Sequence, residues 1–262
     1  MCLLAVVSRQ SLEAPLIVAA NRDEWLTRKA QAAQVLVPHG PRVLGGRDEV
    51  AGGTWLAVNE HGLVAGLTNM PSPQGRNPAK RSRGALPLLL AAHTNAADAV
   101  ESLGRTHRSF EFNPCWLLVA DRKSLFYVDL TTADRPDTTE LGAGIFVLEN
   151  RPLTPTSPKA RAVGDALAAM PSSNSAALVP ALEEILQSHV IPPAAATSRA
   201  REPTRPLATE AVCVHAGPYG TRSASIVVVA ANGLPRFLFA DGPPCVTPFV
   251  DVTELWRDHP PR

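Results

Sequence analysis

The residue of this chain best suited to nucleophilic chemistry is the cysteine at position 2. It directly follows Met1 and opens an apolar run over residues 2 to 8 that predicts a β-strand. Removal of Met1, which is usual before a small second residue, would leave Cys2 with a thiol and a free α-amine. Because the unperturbed pKa of such an amine is about 7.7–8.0, it can accept the thiol proton near neutral pH. One residue would then supply both nucleophile and base.

A polar quartet, Asn21-Arg22-Asp23-Glu24, ends a second apolar run at residues 15 to 20. The polar stretch between the runs, residues 9 to 14, predicts a hairpin loop, and a loop centred between residues 11 and 12 pairs Cys2 with Asn21. A change of one residue in the register of the two strands moves each side chain to the other face of the sheet. The thiol therefore lies beside either Asn21 and Asp23 or Arg22 and Glu24. The structural alternative is a buried cysteine beside a strand-end cluster of ion pairs.

Several motifs spread from residue 2 to residue 223 support a functional site. They are Cys2, the quartet at 21–24, Gly52-Gly-Thr-Trp-Leu-Ala-Val-Asn-Glu-His-Gly62, Thr68-Asn69, Ser82-Arg-Gly84 and Tyr219-Gly-Thr-Arg-Ser223. In combination they resemble the NRDE family, also called transport and Golgi organisation protein 2 homologues. The resemblance implies an N-terminal nucleophile (Ntn) hydrolase fold, distantly related to penicillin V acylases and bile-salt hydrolases, which use an N-terminal cysteine.

The resemblance also implies roles for two asparagines. Asn69, which ends a predicted strand, and Asn150 each resemble an asparagine of those hydrolases, in the first case one near the oxyanion. Arg222, which precedes a buried strand, would bind a carboxylate or balance an active-site acid, or else form a structural ion pair at the strand end.

These residues predict acyl transfer to Cys2, without a cofactor, from an amide or thioester of a small acyl substrate. The oxyanion would be held by Asn69 or Asn150 together with backbone donors. The resemblance implies a second function of a different class, a carrier of haem or of lipid and acyl-CoA on the same fold, as in intracellular haem trafficking. In that case Cys2 would be an axial thiolate of the haem.

Composition bounds the partners. The chain has 262 residues, which suits a single domain over 1–262, and its net charge of +1 gives no argument for nucleic acid or an anionic membrane. No run reaches the about 20 apolar residues of a membrane span. The short basic cluster at residues 80–83 predicts a solvated loop before a helix. The sequence does not indicate an oligomeric state.

The cysteines indicate a reducing compartment. Cys2, Cys115, Cys213 and Cys245 are widely spaced and no secretory signal precedes them, so we expect reduced thiols and a cytoplasmic location. The spacing matches no structural zinc pattern, and no metal site is predicted. Cys213 and His215 would share one face of a strand and could bind a metal, but core packing is the default interpretation.

The coarse order of elements predicts the fold class. Hairpins are predicted at 2–21, 54–68 and 115–130, a strand at 145–149, and a meander of strands at 211–215, 225–230 and 236–240. Helices are predicted within 84–104, where Asn95 starts the second of two, and at 158–170 and 174–188. Many strands are apolar on both faces and must be covered twice, which favours an α+β, four-layer αββα sandwich of two antiparallel sheets. The proline-rich stretch 191–210 predicts a mobile loop.

Overall fold

The computed structural model of the protein describes residues 2–72, 75–170, 175–199 and 206–257. The strands are β1 (Leu3–Ser8), β2 (Leu16–Trp25), β3 (Ala30–Val37), β4 (Val43–Asp48), β5 (Leu56–Asn59), β6 (Val64–Asn69), β7 (Cys115–Ala120), β8 (Leu125–Asp129), β9 (Asp137–Leu141), β10 (Gly144–Leu148), β11 (His215–Ala216), β12 (Tyr219–Val229), β13 (Arg236–Ala240) and β14 (Val250–Asp251). The helices are α1 (Ala85–Ala91), α2 (Ala96–Thr106), α3 (Pro158–Ala168), α4 (Ser175–Gln187) and α5 (Pro193–Arg199), with short 3₁₀ helices at Ser109–Glu111, Leu207–Glu210 and Thr253–Trp256.

The strands form two antiparallel sheets. The first has the order β10-β1-β2-β12-β13-β14, with β11 paired to β12, and the second has the order β3-β4-β5-β6-β7-β8-β9. β2 is therefore a central strand of the first sheet, hydrogen-bonded to β1 on one side and to β12 on the other. β12 pairs with the polar end of β2 as far as Trp25, whereas β1 pairs with β2 only as far as Asn21.

Apolar side chains fill three layers, each between two layers of secondary structure. Leu4, Val18 and Leu118 belong to the core between the sheets. Leu90 and Leu117 belong to the layer between the second sheet and helices α1 and α2, and Ile226 and Leu182 to the layer between the first sheet and helices α3 and α4. Burial of each such side chain stabilises the fold by about 1.5–3 kcal/mol. The predicted four-layer αββα sandwich is confirmed.

Most predicted elements are present. The three hairpins, the strand near residue 145 and the helices at 158 and 174 all form. Asn95 is the N-cap of α2, and its side chain accepts a hydrogen bond from the backbone nitrogen of Asp98 at 2.9 Å. This cap explains why the apolar stretch at 84–104 divides into two helices.

The segment 211–215 differs from the predicted strand, because only His215 and Ala216 pair with β12. The backbone polar groups of the preceding residues form hydrogen bonds with other parts of the chain. The carbonyl of Val212 accepts from the Asn21 side chain at 3.0 Å, the nitrogen of Cys213 donates to Ser188 at 2.8 Å, and the nitrogen of Val214 donates to Thr221 Oγ1 at 2.8 Å. These bonds replace a ladder and hold the segment against the end of β2.

The stretch 191–210 also differs from expectation. Its described part contains α5 and the 3₁₀ helix Leu207–Glu210 rather than loop alone, while residues 200–205 lie outside the described residues. Within the part of the chain that the structure describes, the helices are too short or too polar to cross a bilayer.

Candidate active site

The register of the β1–β2 hairpin determines which side chains share a face with the cysteine. Leu3 pairs with Asn21, so continuing the ladder by one residue brings Cys2 level with Arg22. Because opposed residues of antiparallel strands point to the same side, Cys2 and Arg22 lie on the face that carries Leu4, which packs between the sheets. The predicted pairing of Cys2 with Asn21 is therefore wrong by one position.

The hairpin loop explains this difference. Arg9 has a left-handed backbone conformation with φ of 54°, and its nitrogen donates to the carbonyl of Pro15 at 2.7 Å. Ser8 pairs with Leu16, so the loop is centred on Leu12 rather than between residues 11 and 12. This half-residue displacement moves the whole register by one and selects the Arg22 face.

A cavity of about 110 Å³ lies where the polar end of β2 meets the loops of the second sheet. Cys2 lines it from the first sheet, and Asn69 lines it from the end of β6. The charged side chains around it are five arginines and three carboxylates: Arg22, Arg28, Arg76, Arg81 and Arg83, and Asp23, Glu24 and Asp48. The excess of arginine makes the cavity suited to a substrate with an anionic group.

The Cys2 thiol lies at this cavity in a mostly buried position. Its Sγ is 4.0 Å from the backbone oxygen of Asp23. Burial raises the pKa of the Cys2 thiol, the charge of Asp23 acts in the same direction, and Arg22 opposes them. A raised pKa keeps the thiol protonated at neutral pH, so a nucleophile here requires a base within reach.

Asn150 connects Cys2 to the second sheet. Its Oδ1 accepts a hydrogen bond from the backbone nitrogen of Cys2 at 2.5 Å, and its Nδ2 donates to the backbone oxygen of Asn69 at 2.5 Å. The two bonds fix the orientation of the amide, because only the oxygen can accept and only the nitrogen can donate. The nitrogen of Cys2 is thereby held beside the end of β6.

Asp23 is buried and anchored by β12. Its Oδ1 accepts from the hydroxyl of Thr221 at 2.7 Å, and its backbone oxygen accepts from the hydroxyl of Tyr219 at 2.9 Å. Burial raises the pKa of the Asp23 carboxyl, although the positive charge of Lys159 and the bond from Thr221 lower it. These hydrogen bonds fix the position of the carboxyl beside the cysteine, where it is removed from water.

Arg22 lines the cavity, and one nitrogen of its buried guanidinium has no partner in the described part of the chain. The guanidinium carbon lies 4.4 Å from the centre of the Trp55 ring, and Nη2 is 3.5 Å from Asp48 Oδ2. The side chain is only 4% exposed, burial lowers its pKa, and Nη1 has no hydrogen-bond partner among the described residues. An anionic ligand group would satisfy this nitrogen with a charge-assisted hydrogen bond.

Two glycines bring a basic loop to the cavity. The nitrogen of Thr54 donates to the oxygen of Gly84 at 3.0 Å, and a Cβ on Gly53 would lie 2.4 Å from the Gly84 carbonyl carbon. This backbone contact carries Arg81 and Arg83 to the cavity. Arg81 remains exposed, as predicted for a solvated loop before a helix, whereas Arg83 is half-buried, so that interpretation is wrong for Arg83 alone. The pKa of Arg83 is lowered by burial. The Gly-Gly-Thr-Trp and Ser-Arg-Gly motifs noted in the sequence therefore form part of the lining of this cavity.

The remaining predicted residues have separate places. Asn21 points to the helical side, where its Nδ2 donates to the carbonyls of Leu186 and Val212 at 2.9 and 3.0 Å. Glu24 lies at the cavity mouth, 3.6 Å from Arg28. Arg222 is the extra residue of a β-bulge in β12 and does not line the cavity. Sequence reasoning missed Arg28, Asp48 and Trp55 as neighbours of the quartet.

The fold and the position of the cysteine define a class of protein. Solved structures with the same fold include a mutant of conjugated bile acid hydrolase from Clostridium perfringens (TM-score 0.52, 12% identity, 97% of this chain and 93% of that chain). Another is the Caenorhabditis elegans N-acylethanolamine-hydrolyzing acid amidase orthologue (TM-score 0.54, 12% identity, 87% and 92%). The chain thus has the Ntn-hydrolase fold.

The family is more specific than the fold. The model of the family described as Transport and Golgi organisation 2 matches residues 1–239, and the chain belongs to this family. Among its relatives, the bovine Transport and Golgi organization protein 2 homolog is 30% identical and the mouse homolog 29% identical, each over 83% of both chains.

Proposed function

We propose that the protein is an N-terminal-cysteine hydrolase that cleaves an amide or thioester bond of a small acyl substrate. One observation carries this proposal. The Cys2 thiol lies at a polar cavity, while the nitrogen of the same residue is fixed by Asn150 at 2.5 Å. Nucleophile and amine are thus held together at the place where a substrate carbonyl would bind.

The chemistry follows from these positions once Met1 is removed. The neutral α-amine takes the proton of the Cys2 thiol, and the thiolate adds to the carbonyl carbon to give a tetrahedral oxyanion. The resulting ammonium returns the proton to the leaving amine or thiolate, and the acyl group stays on sulfur as a thioester. Water, deprotonated by the same amine, then releases the acid and restores the thiol.

The surrounding residues divide the supporting roles. Asn150 positions the amine, because both ends of its amide already bond to Cys2 and to the Asn69 backbone. Asn69 lines the cavity, and its side chain is the better placed of the two asparagines to donate to the oxyanion. The buried carboxylate of Asp23 favours the charged form of the amine and so raises its basicity.

The electrostatics of the cavity indicate a substrate class. The unpaired Nη1 of Arg22 and the neighbouring arginines would bind a carboxylate or a phosphate next to the scissile bond. An acyl amide or thioester with an anionic group therefore fits better than a neutral ester. The structural neighbours named as a hydrolase and an amidase support acyl chemistry on this fold.

The carrier function proposed from the sequence requires different chemistry. A cavity of about 110 Å³ is well below the about 300–1,000 Å³ of pockets that enclose drug-sized ligands. This volume favours the hydrolase over a haem carrier.

The direct test is a hydrolysis assay on matched substrates. Wild type, Cys2→Ala and Cys2→Ser would be incubated with N-acyl amino acids, the corresponding neutral N-acyl amides and acyl thioesters, and release of the acid measured. We expect turnover by wild type, fastest with the anionic amides or thioesters, and none above background with Cys2→Ala. Equal release by wild type and Cys2→Ala would contradict the proposal.

A further inference from the structure

A second cluster of reactive side chains lies outside the cavity described above. It consists of His189, Cys213, His215 and Cys245, and one ligand atom of each lies within 4.8 Å of the others. The four residues come from three segments: the residues after α4, the segment that precedes and begins β11, and the turn after β13. Cys213 is buried, as expected from the sequence, whereas His215 is exposed, so core packing does not account for the histidine.

The distances within this cluster approach those of a tetrahedral site. His215 Nε2 lies 3.2 Å from Cys245 Sγ and 3.8 Å from Cys213 Sγ. Zinc–sulfur bonds of about 2.3 Å and zinc–nitrogen bonds of about 2.0–2.1 Å place tetrahedral ligands about 3.3–3.8 Å apart. Both contacts of the His215 ring nitrogen therefore match a shared metal ion with little movement of the side chains.

The fourth residue is oriented by a backbone group. His189 Nδ1 lies 3.0 Å from the carbonyl oxygen of Cys213, and a carbonyl only accepts, so Nδ1 carries the proton. Nε2 is then the nitrogen with the free lone pair. Metal-binding histidines commonly donate their other ring nitrogen to a carbonyl in this way, which fixes the tautomer and strengthens the ligand.

Access and burial also fit a metal site. Cys213 is buried and Cys245 is half-buried, whereas both histidines are exposed, so an ion can enter from the histidine side. The histidine rings are 5.1 Å apart between centroids and inclined by 54°, which is not a stacked packing contact. Two thiolates and two neutral imidazoles are a ligand set typical of zinc.

We propose that His189, Cys213, His215 and Cys245 form a structural zinc site. Both thiol protons are released to solvent when the ion binds. The ion joins the end of α4, the segment 211–215 and the turn after β13, and so fastens the backbone that receives the Asn21 side chain through Val212. This site is independent of the proposed hydrolase function.

Cobalt(II) titration tests the site. The full-length protein would be stripped with a chelator under reducing conditions, titrated with cobalt(II), and then with zinc(II). We expect one equivalent to give the intense visible bands of tetrahedral cobalt with thiolate charge transfer, and zinc to remove them. We also expect zinc to raise the thermal unfolding midpoint of the stripped protein.

Two variants and one control make the result specific. Cys245→Ser changes a half-buried turn residue and His215→Asn an exposed one, so both should fold, and each is expected to weaken cobalt binding at least tenfold. Cys115→Ala, in the core far from the cluster, should leave the bands unchanged. Identical spectra in wild type and Cys245→Ser, weak octahedral bands, or a Cys213–Cys245 disulfide with no cobalt binding after reduction would overturn the proposal.

Discussion

Asn150 Oδ1 receives the backbone N–H of Cys2 at 2.5 Å, although the two residues are 148 positions apart. Asn150 follows β10, the lateral neighbour of β1, so the pairing of these strands brings the amide to the start of the chain. The same amide donates to Asn69 at the end of β6. One side chain therefore joins Cys2 to both sheets.

Removal of the Asn150 amide should slow the reaction of Cys2 by more than the loss of stability alone explains. Asn150→Ala leaves the Cys2 nitrogen and the Asn69 carbonyl without their partner, which costs about 1–3 kcal/mol in the free energy of unfolding. We expect acylation of Cys2 to slow by about 10²-fold, as for other lost active-site hydrogen bonds. Stopped-flow or quenched labelling of Cys2 measures the rate.

Asn95→Ala is the matched control for this change. It removes the N-cap of α2, far from the cavity, at a cost of about 0.5–2 kcal/mol. Acylation by this variant should equal that of wild type. If both alanine variants slow acylation equally, the effect of Asn150 is general destabilisation and the positioning role is wrong.

Asp23 should show opposite effects on stability and activity. Its pKa in the folded protein is raised above the ordinary 3.8 by burial, so its protonated form favours folding. That contribution is complete below pH of about 3.8 and is lost as pH rises through the raised folded-state pKa. Asp23→Asn removes the buried charge, so we expect its free energy of unfolding at neutral pH to exceed that of wild type, and its activity to fall.

Urea unfolding of wild type and Asp23→Asn across pH measures this difference. Asp165→Asn, an exposed substitution on α3, should follow the wild-type curve. A neutral-pH stability of Asp23→Asn below that of wild type would show that the carboxylate stabilises the fold, against the direction given by its burial.

Arg22 should give the cavity a preference for anions. Iodoacetate and iodoacetamide alkylate the same thiol but differ in charge, and the rate ratio at Cys2 relative to free cysteine reports the local potential. We expect iodoacetate to be favoured in wild type and the preference to fall about tenfold or more in Arg22→Gln, because a charge-assisted bond contributes about 1.5–3 kcal/mol. Peptide mass spectrometry separates Cys2 from the other thiols.

The control for Arg22 is Arg105→Gln, which removes an exposed arginine paired with Glu101 on α2. Its rate ratio at Cys2 should match that of wild type. A ratio that does not change in Arg22→Gln would remove the argument for an anionic substrate while leaving the hydrolase proposal to the turnover assay.

Haem addition discriminates the two candidate functions. Because the cavity at Cys2 is small, we expect no shift of the Soret band that depends on Cys2. Absorbance spectra of wild type and Cys2→Ala with added haem make the comparison. A shifted band in wild type that disappears in Cys2→Ala would favour the carrier.

The sequence predicted the layers because both faces of strands such as β2 and β12 are apolar and need covering. It did not predict β4, where Gly45 and Gly46 suggest a turn. In the structure a Cβ at Gly45 would lie 2.4 Å from the Leu56 carbonyl oxygen, and one at Gly46 2.4 Å from the Trp55 ring. Close contacts with neighbouring residues in the fold require these glycines. The pattern of residues around positions 45 and 46 does not reveal such contacts.

Of the residues predicted for the site, Arg22, Asp23 and Asn69 line the cavity with Cys2, whereas Asn21 points away from it. The register failed by one because it depends on the conformation of Arg9 in the loop. Asp48 comes from the end of β4 and Arg83 from the loop before α1, and no spacing along the chain relates them to Cys2. The cluster that we propose as a zinc site was not predicted as a whole for the same reason, since Cys245 lies 30 residues from His215.

Intact-mass spectrometry before and after incubation with an anionic acyl thioester is the decisive measurement for the role of Cys2. We expect a protein that lacks Met1 and gains one acyl group on Cys2, a gain that does not occur in Cys2→Ala. Retention of Met1, or the same acyl gain in Cys2→Ala, would contradict a catalytic N-terminal cysteine.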